Sequence, residues 1–453
     1  MKKLLVVIVL YLLLFITACT NQAESNNPFD SAGFDFTGDN PLCLSDTDGV
    51  EGANYLADKI FDTDEYMPDY DADAGALLPN SAICHFCEGK TKGKADGIYY
   101  YTPMQDSRTI HYLDKSLLID DVLCIKPECS HDDKSCGAYV PDIHGLTVYD
   151  GRLCWLGGTQ DNSGDMYIYS SALDGTDRKA QRSVDVYKYP HEYSSNNSFD
   201  SVIFHRGYMY VGYTLPVIED GIPYTYVILT QTPMTKKGET VELIRAKVAT
   251  DSGKLLVLPK GNYIYVSFSA ELRDDDHISL GIYQFDTKKG SIKVLYGGSS
   301  PISVSYMNVT DDGKLYLSSG SQRIFAKDDE SQEISQIHSF DEAKYERLYM
   351  GRQYIVACGG GYYGNEAIAY CIADYDFNII AEGSFDNIFD DESRGELFSC
   401  SADMSYIGID EVIWQVNCTY KSGDGTDNVI YQVGVPYDSG TPRVYDVYEY
   451  TNR

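Results

Sequence analysis

Residues 146–183 contain Leu146-Thr147-Val148-Tyr149-Asp150-Gly151-Arg152-Leu153-Cys154-Trp155-Leu156. After a polar stretch there follows Met166-Tyr167-Ile168-Tyr169-Ser170-Ser171-Ala172-Leu173-Asp174-Gly175-Thr176. Asp150-Gly151 reads as a tight turn, Leu153 to Leu156 as a short strand, Gln160 to Asp165 as a loop and Met166 to Ser170 as a second strand. A further turn falls at Leu173 to Thr176. Alternating β-branched and aromatic residues between Gly/Asp punctuation predict one antiparallel sheet of three or four strands.

The same unit recurs along the chain. A turn pair followed by a strand appears at Asp96-Gly97, Asp150-Gly151, Arg206-Gly207, Lys260-Gly261, Asp312-Gly313, Met350-Gly351 and, in degenerate form, Ile409-Asp410. The spacing is about 40 to 60 residues, the period of a repeat architecture. Behind these come second strands at Met166 to Tyr169, Tyr226 to Leu229, Gly281 to Phe285, Arg323 to Ala326, Ala367 to Cys371 and Val429 to Val433. The glycines are expected to supply the positive φ that tight turns need. Seven such units with hardly a helical pattern predict an all-β protein: a β-propeller of seven blades of four-stranded antiparallel sheets. Radial repetition is how so many short sheets avoid exposed edges. Six or eight blades are the competing counts, and a pair of β-sandwiches would not explain one turn recurring at one place. The chain has 40 Tyr against 16 Phe and 2 Trp, a bias suited to half-exposed strands where the ring packs and the hydroxyl reaches water.

Residues 1–18 read as a leader: Lys2-Lys3, an apolar run from Leu4 to Ile16, then Thr17-Ala18-Cys19. The run is too short to span a bilayer as a helix, which needs about 20 apolar residues. Ile16-Thr17-Ala18-Cys19 resembles the lipobox of bacterial lipoproteins. The resemblance implies cleavage before Cys19, a diacylglyceryl group on its sulfur, and a protein held on the extracytoplasmic face of the cell membrane. Residues 19–41 read as a flexible tether and 42–95 as an acidic linker with an N-terminal Cys-containing segment. The propeller occupies 96–453. In the linker, Asp69-x-Asp71-x-Asp73 has the alternation of a calcium loop, but Gly75 and Asn80 stand at the wrong places, and a solvated acidic loop is the preferred reading.

Ile98-Tyr99-Tyr100-Tyr101-Thr102 and Leu173-Asp174-Gly175-Thr176 resemble the Tyr-Trp-Thr-Asp and Leu-Asp-Gly-Ser signatures of low-density-lipoprotein-receptor-type propellers and of similar bacterial secreted propellers. Pro103 replaces that family's Asp. The resemblance implies the fold and transfers no ligand-binding residue.

The formal charge of −32 repels phosphate backbones and anionic headgroups, which excludes nucleic acid as a partner. Chemistry concentrates at one place. Cys84 and Cys87 precede the first blade, and Cys124-x4-Cys129-x-His131-x4-Cys136 forms an insert at its end, 124–136. These six side chains are the metal-ligand candidates, with structural zinc as the expected cofactor. Disulfides are the competing reading, because thiols outside the cell oxidise; unpaired thiols are the third. Glu88 after Cys87 excludes a c-type haem motif. Cys358 and Cys371 are expected on adjacent strands of one blade, and Cys400 and Cys418 flank the strand of the last; packing is the default, with cross-strand disulfides the alternative. The Cys358-Gly359-Gly360-Gly361 run lacks the Lys-Ser/Thr of a phosphate loop and is expected to continue through Tyr362-Tyr363 into a hairpin. There is no Gly-x-Ser-x-Gly, and no spacing pairs the histidines with a nucleophile.

The functional expectation is therefore a lipid-anchored binding module for a cell-surface protein or carbohydrate. The alternative is a propeller glycoside hydrolase or lyase with paired carboxylates at the central channel. A transporter solute-binding protein would need alternating helices and strands.

Overall fold

The computed structural model describes Phe34–Asp35 and most of 85–450; the longer intervals outside the description are 102–108, 159–165, 185–200, 235–238, 249–252, 272–277, 364–367 and 390–393. Cys19, the leader, Asp69, Asp71, Asp73 and Cys84 lie outside the described residues.

The strands form seven antiparallel sheets in chain order. Blade 1 runs from His85–Thr91 to Ile119–Val122, blade 2 from His144–Tyr149 to Lys179–Val184, and blade 3 from Ser201–His205 to Val241–Val248. Blade 4 runs from Lys254–Lys260 to Ser291–Ser300 and blade 5 from Tyr306–Val309 to Ile334–Ser339. Blade 6 spans Arg347–Met350 to Ile379–Ser384, and blade 7 spans Glu396–Ile407 to Arg443–Tyr450. In blades 1 to 6 the first strands of successive blades touch one another, so they form the inner wall of the ring. This is the expected seven-bladed β-propeller.

The core lies between the blades. Seven buried apolar clusters each straddle one neighbouring pair, from Leu153 and Trp155 of blade 2 against Tyr99 and Ile110 of blade 1 to Trp414 and Val416 of blade 7 against Val356 and Tyr370 of blade 6. The seventh cluster joins Tyr406, Ile413 and Tyr445 of blade 7 to Ile98, Tyr100 and Leu113 of blade 1. It closes the circle. No strand is shared across this closing seam among the described residues. Blade 1 instead sends Lys115 across, its Nζ 2.6 Å from Asp410 Oδ1 and 3.0 Å from Glu411 Oε1. Glu411 is 1% exposed and also takes Arg443 at 3.0 Å and the Tyr445 hydroxyl. The degenerate seventh turn is thus Asp-Glu because it supplies the acids that close the ring.

The recurring turn has a second task. His205 Nε2 of blade 3 lies 2.7 Å from the Gly261 carbonyl of blade 4, and Asn308 Nδ2 of blade 5 donates to the Arg352 carbonyl of blade 6 at 3.1 Å. Both of these turns offer a carbonyl to the preceding blade. Gly151, Gly207, Gly261 and Gly313 adopt positive φ as expected. Gly97 and Gly351 do not, which corrects that expectation. Gly97 sits inside the strand Lys94–Tyr101, where any Cβ would strike the Tyr112 ring, and Gly351 makes room for Ile407 of blade 7.

Two sheets carry a short added strand. Phe34–Asp35, within the expected tether, pairs with the outer strand of blade 3. Gly361–Tyr363 does not fold into a blade 6 hairpin; it crosses to pair with Ser399 to Ser401 of blade 7. The chain leaves blade 6 after Cys358 and returns to it at Ala369.

Candidate metal centre

The fourth strand of blade 1 ends at Val122, and the chain then takes a loop to the first strand of blade 2. Backbone bonds tie the loop at both ends: Leu123 N–H donates to Ile110 O and Ile110 N–H to Ala138 O, each at 2.9 Å. Between these ties the sequence is too short and too polar for a strand. Asp133 turns the chain, accepting Ser135 N–H through its carboxylate at 2.7 Å and Cys136 N–H through its carbonyl at 3.1 Å. Lys126 Nζ donates to the Ser135 carbonyl and draws the two arms together.

These constraints turn four side chains inward. One donor atom from each of Cys124, Cys129, His131 and Cys136 lies within 4.8 Å of the other three. His131 Nδ1 is 3.4 Å from Cys136 Sγ. Glu128 (φ 69°) and His131 (φ 57°) are left-handed without being glycine, at a cost of about 1 to 3 kcal/mol each. Both flank Cys129, and the turn they make is what aims its sulfur and the imidazole at one point. The His131 N–H donates to the Cys129 sulfur and holds that thiol below its ordinary pKa. Burial pushes the Cys136 thiol up to about 11, opposed by N–H groups of Ala138 and Tyr139 directed at its sulfur. Such donors stabilise a thiolate once charge is present. The group of four can hold a metal ion.

Of the six expected ligands, then, four come together. Cys87 is buried in the strand His85–Thr91 against the blade 1–blade 2 core and is not one of the four.

The other cysteines divide by register. Cys400 and Cys418 are direct cross-strand partners with Cα atoms 4.4 Å apart, and they form a disulfide. Cys371 pairs with Ala357 and Cys358 with Tyr370. One residue of offset puts those two thiols on opposite faces of blade 6, in different clusters, so they cannot bridge.

The structure also assembles a group that spacing did not reveal. Thr109 Oγ1 lies 3.2 Å from His111 Nε2, His111 Nδ1 lies 3.5 Å from Asp120 Oδ1, and the Tyr100 hydroxyl donates to Asp120. The order imitates a nucleophile, base and acid. Thr109 is 0% exposed and the Asp120 side chain 0%, so no substrate reaches the hydroxyl and the network is a core polar brace. The only hint in the sequence is the i, i+2 placement of Thr109 and His111.

No family model matches the chain, and no characterised protein matches it in sequence. Among solved structures it is similar to a puromycin hydrolase, with 11% identity over 86% of this chain and 58% of that one and a TM-score of 0.49. It is also similar to TolB from Acinetobacter baumannii (15% identity, 69% and 64% covered, TM-score 0.29). A third is an α-L-arabinanase of Penicillium chrysogenum complexed with arabinobiose (14%, 68% and 96%, 0.34). The chain spans little more than half the length of the puromycin hydrolases it matches. At these identities the likeness concerns fold alone.

Proposed function

We propose that this protein is a lipid-anchored, extracytoplasmic β-propeller that binds a cell-surface protein or carbohydrate. The observation that carries the binding reading is the surface of blade 1. Four of the ten large apolar side chains exposed among the described residues fall between positions 117 and 125: Leu117, Leu118, Ile119 and Ile125, with Leu117 66% and Ile125 65% exposed. Exposed apolar side chains concentrated along one outer strand are candidates for an interaction surface. They flank one outer strand whose remaining residues, Asp120 to Val122, lead straight into the Cys/His loop, so the patch is mounted on a braced support.

The distribution of acids favours binding over the hydrolase alternative. Five of the inner-wall strands, His144–Tyr149, Ser201–His205, Lys254–Lys260, Tyr306–Val309 and Arg347–Met350, contain no Asp or Glu, although the chain has 68; His85–Thr91 carries Glu88, and the first strand of blade 7 carries Glu396 and Asp403. Asp403 of blade 7 is engaged by Arg347. A glycosidase of the kind considered needs two carboxylates about 5 to 9 Å apart facing one sugar. The Ile16-Thr17-Ala18-Cys19 motif supports the anchor.

Two measurements test the reading. Cys19→Ser is expected to move the protein from the membrane to the soluble fraction; a variant that stays with the membrane and keeps its leader contradicts the anchor. Labelled protein is expected to bind a cell-envelope preparation or a glycan array, and Leu117→Glu with Ile125→Glu to reduce that binding at least tenfold without changing the melting temperature. Undiminished binding by the double variant removes the blade 1 surface from the account, and turnover of an arrayed glycan favours the enzyme.

A further inference from the structure

We infer that Cys124, Cys129, His131 and Cys136 form a closed, four-coordinate zinc centre, with His131 bound through Nδ1, and that the ion fastens blade 1 to blade 2. Tetrahedral zinc with bonds of about 2.3 Å to sulfur and about 2.0 Å to nitrogen requires sulfurs about 3.8 Å apart and sulfur–nitrogen edges of about 3.6 Å. The observed His131–Cys136 distance of 3.4 Å and the 4.8 Å bound on the whole group fit that tetrahedron with small adjustments. A disulfide explains less. It would consume two of the three sulfurs and leave one thiol and an imidazole converging on it without purpose.

The donor set selects the ion. Three thiolates and an imidazole are soft to borderline ligands, which favours zinc over calcium or magnesium, the hard cations that take oxygen. Three thiolates on a divalent ion leave one net negative charge, and the N–H groups of His131, Ala138 and Tyr139 together with nearby Lys126 are placed to meet it. Four protein ligands leave no open position for a substrate or water, so the centre is structural.

Its place in the fold gives its role. Any Cβ at Gly137 would overlap the Gly175 carbonyl, and any at Gly175 the Leu123 carbonyl. The loop is thus pressed backbone to backbone on the Leu173-Asp174-Gly175-Thr176 turn of blade 2. Arg178 of blade 2 reaches back to the Tyr139 carbonyl. Ordering residues 123–140 around one ion fixes this contact, which the loop, lacking a strand pattern, would otherwise hold only weakly.

The test uses full-length protein extracted in detergent. Metal analysis is expected to find one zinc per chain, falling at least tenfold in Cys136→Ser and in His131→Ala, while Cys371→Ser keeps the full amount. Cobalt exchanged into the wild-type protein is expected to show tetrahedral ligand-field bands and sulfur charge transfer, a readout that does not depend on any variant folding. Metal-free protein from a zinc-replete, reducing preparation, full zinc retention by Cys136→Ser, or an octahedral cobalt spectrum each overturns the inference. None of these outcomes bears on the blade 1 binding surface, whose test is separate.

Discussion

Two groups of cysteines, Cys124 to Cys136 and Cys400 with Cys418, lie in the same chain and show opposite chemistry. In blade 7 the strand register alone brings two sulfurs face to face, and a disulfide results. In the loop after blade 1 there is no register; left-handed residues and backbone N–H groups collect three sulfurs and an imidazole around a point. Cys358 and Cys371 show the third outcome, since one residue of offset leaves both as buried thiols. Backbone geometry decides which partners each cysteine can meet.

The contrast also assigns each fastening to a place. The loop braces the seam between blades 1 and 2, the disulfide ties the first two strands of blade 7, and the closing seam between blades 7 and 1 has neither. Glu411→Ala is therefore expected to have the largest effect. It removes the buried partner of Lys115, which keeps the exposed Asp410, and of the partly exposed Arg443, a loss of up to about 3 to 5 kcal/mol for a broken buried pair. Urea unfolding measures it; a loss under about 1 kcal/mol would mean that the apolar cluster closes the ring unaided. Cys400→Ser with Cys418→Ser comes next, at about 3 kcal/mol for a loop of this size. A reductant should reproduce that loss in the wild type and a chelator should not.

Gly137→Ala is expected to cost about 1 to 3 kcal/mol, as overpacking does, and to raise the rate at which a chelator removes the ion. An unchanged rate would separate the loop's packing from its metal. The smallest effect belongs to the offset pair. Burial pushes Cys358 up to about 12 and Cys371 up to about 11, so neither is a thiolate at neutral pH. Because the unfolded thiols ionise near their ordinary pKa of 9.0, their contribution is fully present below pH 9 and lost as pH rises from there through the folded values. Cys371→Ala should flatten the alkaline limb of stability slightly; an unaltered limb assigns it to the tyrosines.

The repeat was legible because alternation and Gly/Asp turns are local signals. The seven expected turn positions marked seven blades, although Asp96-Gly97 lies within a strand, and the second strands fell where expected. Gly97 and Gly351 misled because a glycine kept small by a neighbouring ring or blade looks the same in sequence as one kept for positive φ. The closing seam was illegible, since Lys115 and Asp410 are 295 residues apart and nothing local marks Lys115 as buried. The cysteine spacing pointed to a site, but which four of six donors converge depends on a fold of the loop that spacing does not encode. The crossing strand Gly361–Tyr363 escaped for the same reason, because its partner lies in another blade.

Differential alkylation read by mass spectrometry tests the contrast most directly. Native protein is treated with chelator alone, with reductant alone, or with neither, then labelled at neutral pH and digested. Cys124, Cys129 and Cys136 are predicted to label only after chelation, and Cys400 and Cys418 only after reduction. Labelling of two of the first three by reductant alone, with chelator inert, would contradict the account and make a disulfide of that group as well.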